Sequence, residues 1–150
     1  MRDNIETNYL IFISSDGKKS GFDIFNERVQ ENKWPIYNKT PQFRNVKVGK
    51  NVVFYIAGAG KKRQSFIGNA KIKSIIDNRN TTVDTNQEFK KVLFHVEFKE
   101  LKIFDKDIKI RDHIDNLYFI ENKEKYGLYF QGGICKIDQQ SFEYIHNKSF

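Results

Sequence analysis

The sequence predicts an α+β domain: a small mixed or antiparallel sheet curled toward a barrel, with two or three short helices against it. Three observations carry this expectation. Short apolar runs rich in β-branched and aromatic residues recur along the chain, separated by Gly, Asn and Asp turns. Only an early segment and the C-terminal one show the spacing of an amphipathic helix over several turns. No segment repeats at the period of a solenoid, and strands do not alternate with helices as in a βαβ sheet.

The elements follow in order. Tyr9 to Ser14 (YLIFIS) reads as a buried strand, broken by Ser15-Asp16-Gly17. Ser20 can cap a helix running to about Glu31, with Phe22, Phe25 and Val29 on one stripe. Lys33 to Pro41 holds both prolines and the only tryptophan, so it is a shaped loop or short extended segment and not helix. Asn51 to Ala57 is a strand, Gly58 to Gln64 a basic turn, and Ser65 to Ile76 a returning strand. Alternation in that strand puts Phe66, Gly68, Ala70 and Ile72 on one face. Asp77 to Lys91 is polar and irregular. Val92, Phe94, Val96 and Phe98 form the apolar face of a one-sided strand. Leu101 to Phe104 and Ile108 to Ile110 flank a turn at Asp105-Lys106-Asp107, and Arg111 to Asn116 is a helical turn. Tyr126 to Phe130 and Ile134 to Ile137 read as strands. Asp138 caps a terminal helix carrying Phe142 and Ile145.

A chain of 150 residues makes one domain, residues 1–150, long enough to bury a core without metal or disulfide. Its 39% hydrophobic and 30% charged residues exclude a disordered or membrane-embedded class. Cys135 is the only cysteine, which excludes an internal disulfide and a cysteine-rich zinc site. With no signal-like apolar stretch in Met1 to Glu6, the expectation is a reducing, cytoplasmic compartment and no membrane partner.

Charge narrows the partner. Lys and Arg number 26 against 19 Asp and Glu, a net +7 that suits a polyanion, most often DNA or RNA. A competing explanation is codon drift, since the chain is rich in Lys, Asn and Ile and has few Ala.

Catalytic motifs are sparse. His95, His113 and His146 have no HxH or HExxH spacing, so neither a metal nor a cofactor is expected. Gly58-Ala59-Gly60-Lys61-Lys62 joins two strands and opens no helix, so it is not a nucleotide-binding loop. Lys61, Lys62 and Arg63 either touch a nucleic-acid backbone or form a solvated hairpin tip, with Lys39 and Arg79 as further backbone candidates. Glu97 and Lys99 share a strand face as the ExK pair of restriction-type nucleases does, or they form a surface salt-bridged pattern. Trp34, between Lys33 and Pro35, either presents a stacking face on a proline-stiffened loop or plugs the sheet as core.

YLIFIS (9–14), KWPIY (33–37), VKVGKNVVFYIAG (46–58), SFIGNAKI (65–72) and DNLYFIENKEKYGLYFQGGICKID (115–138), taken in order, resemble an EVE domain of the PUA-like superfamily, alongside YTH and ASCH domains. Lys50-Asn51 stands in the family's Gly-Asp context, and Tyr126 stands where a Trp is frequent. The resemblance implies a twisted mixed β-barrel flanked by short helices, with a base-binding pocket on one side. Trp34 then falls at a cage position, with Pro35, Tyr37 and Asn38 beside it. Ser14, Ser15, Tyr55 and Ala57 line the pocket mouth. Phe89, the only aromatic between Asp77 and Lys91, stands where a second cage aromatic is needed. The implied function is a nucleic-acid-binding module, not an enzyme, that recognises a modified, flipped-out base. The alternatives are a PUA-like RNA-binding module without modification specificity, or a small metal-dependent nuclease.

Overall fold

The computed structural model describes residues 8–37, 40–77, 83–84 and 90–150. The order is β1 (Tyr9–Ser14), α1 (Gly21–Glu31), β2 (Trp34–Tyr37), β3 (Asn51–Ile56), β4 (Ser65–Asp77), β5 (Val83–Asp84), β6 (Lys90–Lys109), α2 (Ile110–His113), β7 (Ile134–Lys136) and α3 (Gln139–Lys148). One mixed sheet runs β2-β6-β4-β3-β1-β7, with β5 pairing β6 off that path. Among the described residues its one parallel ladder joins β1 to β3, with Phe12 opposite Phe54. No described ladder joins β2 to β7, so the sheet is a curled half-barrel and not a closed barrel.

Alternation along β1 and β3 divides the interior in two. Leu10, Phe12, Val52 and Phe54 face a first core, which α1 covers with Phe25. Ile11, Ile13, Val53 and Tyr55 face a second core, closed by Phe130 and by Ile145 of α3. A sheet packed on both faces explains why these strands read as continuous apolar runs.

The ends of α1 are set locally. The Ser20 side chain accepts a hydrogen bond from the Asp23 amide. Asn32 stops the helix in a left-handed conformation, at φ 50°. Its amide then grips β6, donating to the Phe98 carbonyl at 3.1 Å and accepting from the Phe98 N–H at 2.8 Å. The chain leaves that grip extended, as β2, antiparallel to β6.

Three sequence expectations need correction. The segments around Asp105-Lys106-Asp107 are one 20-residue strand, β6, and not two strands and a turn. The pairing explains this. Phe66 faces Ile108 while Gly68 faces Ile103, so two steps on β4 match five on β6. The polar triplet is absorbed in that bulge. The same irregularity reverses the expected face of Phe66, which enters the second core while Ile67, Ala70 and Ile72 enter the first. Finally, Tyr126 to Phe130 is not a strand but lies within a 3₁₀ segment, Lys123–Phe130. Asn122 caps that segment through the Lys125 amide, and Lys123 Nζ donates to the carbonyls of Ile114, Leu117 and Ile120. Phe130 thereby lies flat on Tyr55, ring centroids 4.1 Å apart.

Candidate nucleic-acid interface

The basic turn between β3 and β4 is clamped onto the start of α1. The Asp16 carboxylate accepts the Gly21 N–H at 2.9 Å and the Ala59 N–H at 3.1 Å. Gly58 sits at φ 91°, and a Cβ there would fall 2.4 Å from Asp16 Oδ1. A Cβ on Gly60 would meet that of Ser20 at 3.0 Å. Glycines let the turn press against the β1–α1 loop while the carboxylate bridges the two.

Beyond that clamp the turn forms one wall of a polar cleft of about 690 Å³, whose other wall is the end of β6 and the start of α2. Lys62, Arg63, Lys109 and Arg111 line it, four cations against Asp107 and Asp112. Lys62 Nζ is committed to both oxygens of Asp107, at 3.0 and 2.9 Å. The Tyr126 hydroxyl accepts from Arg111 Nε at 3.2 Å and donates to Gln64 Oε1 at 2.8 Å. A groove with this excess of guanidinium and ammonium groups favours a phosphate backbone. Lys61, on the same turn, is exposed.

The residues expected to form the base pocket do not come together as one wall. Trp34 is 2% exposed. Its indole stacks on Phe54 at 5.3 Å and 28°, and the rings of Phe12, Phe25 and Phe98 lie 5.7 to 6.2 Å from it. The expectation of an open indole face is thus corrected. The physical reason is that an extended β2 directs Trp34 and Ile36 into the first core. Tyr55 is also buried, but in the second core, on the opposite face of the sheet from Trp34. The two rings therefore cannot flank one ligand. Ser14 is fully buried, and its hydroxyl donates to the Gly21 carbonyl at 2.6 Å. It fastens β1 to α1 and presents no edge to a base.

The other candidates stand as follows. Ser15 and Ala57 are half-buried, and the Ala57 amide donates to the Ser14 carbonyl at 2.9 Å. Pro35 is buried opposite His95. Tyr37 is half-buried, and its hydroxyl accepts from Arg28 Nη2 at 2.9 Å. The same guanidinium lies 4.9 Å from the centre of the Trp34 indole. Asn38, Lys39, Arg79 and Phe89 lie outside the described residues. Glu97 accepts from the Ser74 hydroxyl, while Lys99 is exposed on the same strand. Among the described residues, no three His, Cys, Asp or Glu side chains form a metal-binding group.

Sequence reasoning missed the far wall of the cleft. Lys109 and Arg111 come from a segment read as a strand end and a helical turn. They reach the basic turn only because β4 and β6 pair Ser65 with Lys109. No local signal announces that pairing. The sequence places Asp107 in a turn, whereas in the fold it is the ionic partner of Lys62.

Comparison with solved structures places this fold among known ones. The N-terminal domain of Staphylothermus marinus McrB is 10% identical, with a TM-score of 0.55 over 96% of each chain. Protein Atu2648 from Agrobacterium tumefaciens is 11% identical, with a TM-score of 0.58 over 94% of this chain and 92% of its own. Human THYN1, solved in complex with DNA containing 5-methylcytosine, is 14% identical, with a TM-score of 0.55 over 94% of this chain and 96% of its own. Comparison with curated protein sequences returns no match. No described helix is long and apolar enough to cross a membrane. The sequence pattern of the EVE domain matches residues 8–148. Because that match spans nearly the whole chain, the chain belongs to the EVE domain family.

Proposed function

We propose that this protein is a nucleic-acid-binding module that holds a strand through the basic cleft, selects a modified base out of its stack, and does no chemistry on it. The observation that carries the reading is the cleft of about 690 Å³, lined by Arg63, Lys109 and Arg111, whose cationic groups suit a phosphate backbone. The net charge of +7 and membership of the EVE family support it. So does the human relative solved with DNA containing 5-methylcytosine. Extruding a base costs a few kcal/mol, least where the strand is already single. In this reading Ser15, Tyr37 and Asn38 meet the base edge, and Lys39 and Arg79 add to the backbone contacts. Trp34, Ser14 and Tyr55 act as scaffold only.

A second reading is favoured by one observation, the burial of the indole: nucleic-acid binding without modification selectivity. One experiment separates the two. Fluorescence anisotropy is read with labelled DNA and RNA oligonucleotides, single and double stranded, carrying cytosine, 5-methylcytosine or 6-methyladenine at one position. Tighter binding of one modified probe supports the first reading. Equal binding of all probes supports the second, and no binding by any probe removes both.

A further inference from the structure

We infer that Phe22, in the first turn of α1, is a stacking platform for a nucleobase of the strand held in the basic cleft. The inference rests on the reading of the protein as a nucleic-acid binder and names the aromatic contact that Trp34 does not supply. Phe22 is half-buried, with part of its ring packed against the first core and part left at the surface. Two ammonium groups stand at that ring: Lys61 Nζ and Lys62 Nζ, each 5.5 Å from its centre. Both come from the β3–β4 turn, and Lys62 also lines the cleft. The ring and the basic turn that walls the cleft are thus immediate neighbours.

The arrangement is held rigidly. Asp16 bridges the Gly21 amide, next to Phe22, and the Ala59 amide of the turn. Gly60 touches Ser20, the residue that caps α1. A platform set at a fixed offset from a line of cations suits a nucleotide, whose base and phosphate are separated by a sugar of fixed size. In the free protein the aromatic face attracts the two ammoniums. On binding, a base takes that face and Lys61, which is exposed, turns to the adjoining phosphate. Stacking on an aromatic ring tolerates any base, so this contact supplies affinity and leaves selectivity to groups elsewhere.

The test uses an unmodified single-stranded thymidine 12-mer and the same 12-mer with abasic sites throughout. Phe22→Leu keeps apolar packing and removes the π-face. The expected result is at least a five-fold weaker affinity for the thymidine probe, no change for the abasic probe, and recovery with Phe22→Tyr. Equal affinity of wild type and Phe22→Leu for the thymidine probe overturns the inference while leaving nucleic-acid binding intact. If wild type binds neither probe, the inference falls, while the functional reading falls only if the modified and duplex probes also fail to bind. A second readout does not depend on a variant folding. Photocrosslinking of wild type to a 5-iodouracil 12-mer should mark the peptide containing Phe22, and marking confined to other peptides overturns the inference.

Discussion

Truncating Trp34 should destabilise the fold, and a volume-sparing change should leave binding untouched. The indole is 2% exposed and surrounded by Phe12, Phe25, Phe54 and Phe98. Trp34→Ala opens a cavity among four rings that are themselves packed against one another, so the site cannot collapse easily. Buried aromatic-to-alanine changes cost about 3–5 kcal/mol. With a urea m-value of about 2 kcal/mol/M, the midpoint should fall by about 2 M, a large part of a stability of roughly 5–15 kcal/mol. The Arg28 guanidinium over the ring also loses its face. Trp34→Phe keeps most of the packing and should bind oligonucleotides within two-fold of wild type. Urea unfolding followed by circular dichroism measures the first effect and anisotropy the second. A cost below ~1 kcal/mol for Trp34→Ala would refute the core assignment. So would loss of binding in a fully stable Trp34→Phe, because it would return the indole to the ligand site.

Three further outcomes follow from particular contacts. Asp107→Asn releases Lys62 from its ionic partner, so oligonucleotide affinity should rise and the slope of log affinity against log salt should steepen by about 0.7–0.9. An unchanged slope would mean that Lys62 does not reach phosphate. Asp16→Ala leaves the Gly21 and Ala59 amides without their acceptor and should lower stability by about 1–3 kcal/mol, seen as a drop of several degrees in Tm. Burial pushes the Cys135 thiol up from 9.0 to about 11, and the Tyr55 phenol is also raised, first by burial and then by Tyr126. A raised acid stabilises the folded state fully below the unfolded value, and that contribution disappears as pH climbs through the folded value. Stability of wild type should therefore fall more steeply between pH 9 and 11 than that of Cys135→Ala in urea titrations.

Much of the fold was legible because its signals are local. YLIFIS is a strand at the bounds read from its apolar run, and Ser20 caps α1 as its side chain and spacing suggest. Asp138 likewise caps α3. Errors arose where pairing overrode local chemistry. Asp105-Lys106-Asp107 is a turn signal, yet β4 runs alongside and holds the segment in a bulged strand. YGLYF has strand composition, but Asn122 and the three carbonyls gathered by Lys123 wind it into a 3₁₀ segment. At the site, Lys62 and Arg63 were readable as a basic turn, whereas Lys109 and Arg111 reach them through a register that no sequence window contains. Trp34 misled because a loop bounded by prolines resembles a presented aromatic. The Trp34-Pro35 step is compatible with an edge strand, and β2 is one.

The basic cleft is tested most directly by the salt dependence of binding. The measurement is the affinity for one single-stranded oligonucleotide between 50 and 200 mM salt, for wild type and for Lys61→Ala/Arg63→Ala/Lys109→Ala. These three cations lie on the turn and along the cleft, and none has an ion pair within the described contacts. Each phosphate contact contributes about 0.7 to the slope for a single strand through the counterions it releases, so loss of three should make the variant's slope shallower by about 2. The loss should be the same for modified and unmodified probes, because phosphate contacts carry no base information. A variant with the slope of wild type would show that the strand runs elsewhere on the surface, and would contradict the account.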